Sequence, residues 1–306
     1  MMENRIDLTV NIAGLSLKNP VIAASGTFGF GREYSAFFNL SRLGGIAVKG
    51  LTLKPRKGNP PPRIAETPAG ILNSVGLQNP GVHAFIRDEI PFLRRYETAI
   101  IANASGNTVE EYEEMVSILS EADVDAVELN LSCPNVKEGC LVFGSSVSGI
   151  TQVVSRVRKL CKKPLIVKLT PNVTDISEIA CAAEAAGADA VSLINTLLGM
   201  AIDAKTRRPV LGNVTGGLSG PAVKPIALRM VYEVSKAVKI PVIGMGGITT
   251  GTDMAEFLLA GASAVMIGTA GFVNPYAWVE AVDGLERYML ESGVKSVSEL
   301  IGGLMV

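Results

Sequence analysis

Apolar positions along this chain fall into two alternating rhythms. The first is a set of short, near-continuously apolar runs rich in Val and Ile: PVIAASG (20–26), GGIAVKG (44–50), AIIANASG (99–106), DAVELNLS (125–132), PLIVKLTP (164–171), DAVSLINT (189–196), PVIGMGG (241–247) and SAVMIGT (263–269). Runs of this kind, without an alternating polar face, predict strands buried on both sides of a parallel sheet. The second rhythm is helical and fills the gaps, as in TVEEYEEMVSILSEA (108–122), DISEIACAAEAAG (175–187), PIALRMVYEVSKAV (225–238) and TGTDMAEFLLAG (250–261). Several of these begin on a capping Thr or Asp and end at Gly. Eight strand–helix units predict an α/β fold of the (β/α)8 TIM-barrel type, with residues 1–306 as one domain. The opening IDLTVNIAGLSLKNP (6–20) predicts a β-hairpin turning at Ala13-Gly14. Residues 51–80 and 197–221 exceed ordinary connections and are expected to be long active-site inserts. A doubly wound open sheet is the alternative, but no early G-x-G-x-x-G supports it.

A barrel of this type works at the carboxyl ends of its strands, so polar residues there carry the functional signal. Those ends hold Ser25-Gly26-Thr27, Lys49-Gly50, Asn103, Asn130 followed by Cys133, Lys168, Asn195-Thr196, Gly246-Gly247 and Gly268-Thr269. Lysines and asparagines inside apolar strands cost a few kcal/mol, on the order of one mispaired buried group each, unless they are paired. The mouth is therefore expected to hold something polar and ordered. GMGGI after the seventh run and IGTA after the eighth fit a phosphate-binding pair, or else two tight strand-to-helix turns. Lys168 suits a cofactor whose reduced form is anionic, as a flavin's is, or a core lysine paired with a carboxylate such as Glu128. Lys49 admits the same two readings. The stretch AGILNSVGLQNPG (69–81) sets Asn73 among glycines, either for close approach to a ligand or as a solvated loop.

Composition narrows the classes. Of 306 residues, 48% are apolar, 19% charged and 5% aromatic, which describes an aliphatic folded core and excludes disorder. A net charge of −1 and a pI near 6.0 leave no basic footprint for nucleic acid or anionic lipid. The start MMENRIDLTV has no apolar leader core, and FLLAGASAVMIGTAGFV (257–273) is shorter than the roughly 20 apolar residues of a span, so a cytoplasmic protein is expected. The four cysteines, Cys133, Cys140, Cys161 and Cys181, contain no C-x-x-C pair, which argues against structural zinc or an iron–sulfur cluster in this chain. His83 is the sole histidine, so acid–base chemistry falls to Cys, Lys or a carboxylate. Cys161 and Cys181 lie in helical patterns and are expected to be structural. Cys133 is either a small buried hydrophobe or a base, since a free thiol with a pKa near ~8.5 ionises readily beside a cation. Pro134 biases it to an extended backbone, and Asn130 and Asn135 flank it with the donors and acceptors that a flat imide ring requires.

Taken together, NLSCPNV, NSVGLQNPG, VKLTPNVTDI, INTLLGMAID, TGGLSGPAVKPIALRMV, GMGGI and IGTA resemble the class 1 dihydroorotate dehydrogenases over essentially the whole chain. TGGLSGPAVKPIALRMV and the NVKEG after the cysteine are similar to the 1B branch; Cys140 stands where that pattern has glycine. The resemblance implies FMN-dependent oxidation of (S)-dihydroorotate to orotate in pyrimidine biosynthesis. It implies Cys133 as the base, and Lys49, Asn73, Ser74, Val75, Gly76, Leu77, Asn130, Asn135, Asn195 and Thr196 as substrate contacts. For FMN it implies Ser25, Lys49, Gly50, Asn103, Asn130, Lys168, Ile194, Gly220, Gly246, Gly247, Gly268 and Thr269. It further implies a second subunit carrying FAD and a 2Fe-2S cluster that relays electrons to NAD, two copies of each subunit together, and no metal in this chain. The cysteine speaks against the membrane-associated class 2 enzymes, which use serine. Three rivals remain: a class 1A-like enzyme reducing fumarate directly, a dihydropyrimidine dehydrogenase-type barrel, and a non-redox phosphate-binding barrel.

Overall fold

The computed structural model describes residues 6–131 and 143–306. Strands β1 (Val10–Ile12) and β2 (Leu15–Leu17) pair antiparallel, with Ala13 and Gly14 at φ 53 and 90 in the turn between them. Positive φ at both central residues matches the twist of a two-residue hairpin, and this is the hairpin the sequence predicts. The barrel starts with β3 (Val21–Ala23) and β4 (Gly45–Ala47). The chain then leaves it for a hairpin of β5 (Ile64–Thr67) and β6 (Gly70–Asn73). It returns as β7 (Ala99–Ala104), β8 (Ala126–Asn130), β9 (Leu165–Lys168) and β10 (Ala190–Leu193). A second excursion forms β11 (Leu197–Met200), β12 (Ile202–Asp203), β13 (Arg208–Pro209) and β14 (Thr215–Ser219). Strands β15 (Val242–Met245) and β16 (Ala264–Ile267) complete the circle.

The eight parallel strands close in the order β10-β15-β16-β3-β4-β7-β8-β9, giving a (β/α)8 TIM barrel. Each predicted apolar run supplies one barrel strand, and every residue of these strands except Ala99 is buried. Helices pack side by side around the outside. Their starts are fixed by side chains: Thr108 Oγ1 accepts from the Glu111 N–H, Asp175 from Ser177 and Glu178, and Thr250 from Asp253. Such caps satisfy amide donors that the first turn leaves without partners.

The two inserts join each other. Strands β11-β14-β6-β5 form one antiparallel sheet over the barrel mouth, with a small core of its own at Ala65, Leu72 and Leu211. The 69–81 stretch, a solvated loop on one of its two readings, contains strand β6 instead, held by pairing with β14 about 145 residues later in the chain, as in the Gly217–Asn73 pair. A Cβ on Gly217 would fall 2.0 Å from Thr196 Oγ1, so the sheet can lie this close to the mouth only with glycine there. Cys161 corrects a second expectation. It follows the helix Val147–Arg158 instead of lying within it, and its buried thiol donates to Lys163 O at 3.4 Å. Burial pushes that thiol's pKa up, away from reactivity.

Candidate active site in the barrel mouth

Strand ends and insert meet in one cavity. Ser25 follows β3, Lys49 and Gly50 follow β4, Asn130 ends β8 and Lys168 ends β9, and all five line it. Ile194, Asn195 and Thr196 enter after β10; Gly246 and Gly247 after β15; Gly268 and Thr269 after β16. The insert sheet supplies Asn73, Val75, Gly76, Leu77 and Gly220 as the facing wall. Two expected contacts stand off this surface. Ser74 is buried with its Oγ lacking a partner among the described residues, and Asn103 is buried behind Ser25, to whose Oγ its Nδ2 donates at 3.3 Å. Cys133 and Asn135 lie outside the described residues.

At one end the cavity is built for an anion. Gly246 and Gly247 have φ 126 and 77, a backbone that L side chains rarely adopt, and a Cβ on Gly247 would meet Gly220 O at 2.9 Å. Among the described residues the backbone N–H groups of Gly246, Gly247, Gly268 and Thr269 donate to no protein acceptor. Converging backbone donors of this kind suit a phosphate group. Asp253 holds the loop between them and the next helix: its Oδ2 accepts from Thr249 N at 2.9 Å, Thr249 Oγ1 at 2.7 Å and Thr250 N at 2.8 Å, and Lys224 pairs with its Oδ1. Burial works to raise its pKa, but the bonds from Lys224, Thr249 and Thr250 prevail and draw it down to about 2.

Apolar walls and cations line the same cavity beside this cradle. Ile71, Ile194, Leu218, Met245 and Met266 line a space suited to a flat ring system, and Lys168, 4% exposed, donates from Nζ to Ser25 Oγ at 3.1 Å. Lys168 makes no ion pair with Glu128 among the described residues; Glu128 accepts from Ser192 and Asn103 instead. Phosphate cradle, apolar walls and a buried cation together suit a ligand that joins a flat ring system to a phosphate. Sequence reasoning missed Ser219, whose Oγ accepts from Thr269 Oγ1 at 2.8 Å, and the wall residues Met266 and Phe272. It also missed Asn172, which ties the Thr196 segment down by donating to Thr196 O at 3.0 Å and accepting from Leu198 N at 2.9 Å. Asn172 lies in the quoted VKLTPNVTDI, yet its partners follow a different strand. Among the described residues there is no metal-binding group of three or more His, Cys, Asp or Glu, and no helix long and apolar enough to cross a membrane.

Comparison with known proteins converges on one family. The family model described as Dihydroorotate dehydrogenase matches residues 7–289. A protein of Alkaliphilus metalliredigens is 58% identical over 300 residues, covering 98% of this chain and 99% of its own length. One of Thermoanaerobacter pseudethanolicus is 57% identical over 301 residues, 98% and 100% of the two chains, and one of Bacteroides thetaiotaomicron 58% over 301 residues, 98% and 99%. All three relatives are named dihydroorotate dehydrogenase B (NAD(+)), catalytic subunit.

Proposed function

This chain belongs to the dihydroorotate dehydrogenase family, and we propose that it oxidises (S)-dihydroorotate to orotate with FMN in de novo pyrimidine biosynthesis, its electrons reaching NAD through a partner subunit. The observation that carries this reading is the single cavity in which an anion cradle, an apolar slot and two lysines meet. Gly220, Gly246, Gly247, Gly268 and Thr269 hold the FMN phosphate; Ser25, Lys49, Gly50, Asn130, Lys168 and Ile194 hold its ring system, with Asn103 acting from behind Ser25. Bound FMN supplies the acceptor for a hydride. Lys49, the Asn73–Leu77 segment, Asn130, Asn135, Asn195 and Thr196 orient dihydroorotate, whose ring amides and carboxylate call for this mixture of donors, acceptors and cation. Cys133 as thiolate takes the proton from C5 while C6 gives up its hydride, and the C5–C6 double bond of orotate forms; two electrons leave with the hydride and the proton remains on sulfur.

The whole chain, 1–306, acts as one FMN-binding barrel domain in the cytoplasm. Its relatives are named as catalytic subunits of NAD(+) enzymes, which supports a second polypeptide here, one carrying FAD and a 2Fe-2S cluster in an assembly of two copies of each. The test is an anaerobic spectrum of the purified chain before and after dihydroorotate is added. A yellow protein that bleaches supports cofactor, substrate and hydride step together. A colourless protein overturns the flavin reading, and a yellow one that dihydroorotate leaves yellow overturns the substrate. Fumarate turnover without a partner would turn the acceptor assignment to the class 1A type.

A further inference from the structure

Glu128 is wholly buried inside the barrel, two residues before Asn130 on the same strand and therefore on the same inward face, and no role assigned above uses it. Both oxygens of its carboxylate meet donors: Ser192 Oγ donates to Oε1 at 2.7 Å, and Asn103 Nδ2 donates to Oε2. A carboxylate only accepts, so Asn103 must turn its amide nitrogen toward Glu128 and its carbonyl oxygen away. That oxygen accepts from Asn130 Nδ2 at 3.4 Å, which makes Oδ1 the accepting atom of the Asn130 amide at the cavity surface. Asn103 Nδ2 also donates to Ser25 Oγ at 3.3 Å, and Lys168 Nζ donates to the same oxygen at 3.1 Å. With both donors facing its oxygen, the Ser25 hydroxyl has one hydrogen left to give, and Ser25 lines the cavity. A buried anion and a buried cation thus stand at the two ends of a bridge made by Asn103 and Ser25.

We propose that Glu128 is the positioning residue of the cavity floor: its acceptor-only carboxylate sets the hydrogen-bonding polarity of Asn103, Asn130 and Ser25 and balances the charge of Lys168. This rests on the reading of the cavity as the FMN site. Neutral glutamine both donates and accepts, so Glu128→Gln leaves the Asn103 amide able to take either orientation and leaves Lys168 without its counter-charge. FMN dissociation from the folded variant is measured by flavin fluorescence, and the midpoint potential of the bound flavin by spectroelectrochemical titration.

The expected result is a dissociation constant about tenfold higher, the worth of one mispaired buried hydrogen bond. The potential moves in the positive direction, because removing a buried anion favours the electron-rich reduced flavin. A folded E128Q protein with wild-type affinity and potential overturns the proposal, and so does one that loses thermal stability alone. Should E128Q fail to fold, Glu128→Asp carries the test: it keeps the charge but draws the carboxylate back from Asn103, so FMN binds more weakly while the potential stays near that of wild type. Wild-type FMN affinity in E128D overturns the proposal as well. Wild-type protein that binds no flavin overturns the cofactor reading and this inference with it, whereas flavin-binding wild type with unaltered variants overturns this inference alone.

Discussion

One histidine in 306 residues leaves few groups that can move a proton near neutral pH, and the proposed function gives that task to Cys133. Replacing it with alanine removes the proposed base and leaves the phosphate cradle and the apolar walls with their own residues. Cys133→Ala is expected to retain FMN and to slow anaerobic flavin reduction by dihydroorotate about 10²–10⁴-fold, read by stopped-flow absorbance. Unchanged reduction would move the base elsewhere. Cys161 and Cys181 offer poor substitutes: Cys161 is buried with its pKa pushed up, and Cys181 is exposed on the helix Ile176–Ala185, while Cys140 lies outside the described residues. Residue type was readable at this scale, because a cation, an amide or a thiol at a strand end stands out in an apolar run. Partnership was not. Nothing in IVKLTP says that Lys168 meets Ser25, 143 residues earlier, and not Glu128.

Elements matter here for where they end. The loop from β15 into the helix Gly251–Leu259 carries Gly246 and Gly247, and Asp253 fastens it through Thr249 and Thr250. In the folded protein this carboxyl titrates near 2, against 3.8 for the unfolded group, so the folded state binds fewer protons in that range. The resulting stability is complete above the unfolded value and is lost as pH falls through about 2, at most about 2 kcal/mol. Asp253→Asn is expected to cost about 1–3 kcal/mol at neutral pH and to flatten the pH dependence of unfolding in the acid range. Denaturant titrations of both proteins at several pH values measure this. An unchanged acid slope would mean that the loop is held by other bonds. Cap residues such as Thr108, Asp175 and Thr250 were legible in the sequence because capping is a local event, settled within three residues.

The whole molecule supplies a route for electrons into the flavin but needs a route out. The chain alone is expected to bleach with dihydroorotate yet to give no NAD-linked turnover until an electron-transfer subunit is added, measured as NADH formation at 340 nm; full turnover by the chain alone would remove the need for a partner. By itself the sequence determined the eight strands, their helices and caps, and the polar residues at the strand ends. These follow from local periodicity and short-range hydrogen bonding. Tertiary structure alone decided that the inserts pair into one sheet, that Asn103 stands behind Ser25, and that Glu128 on β8 meets Ser192 on β10, past the intervening β9. The sheet's Gly217–Asn73 pairing spans 144 residues and the Glu128–Ser192 bond 64, and such neighbours exist only once the chain has folded and burial has made an unpaired polar group costly.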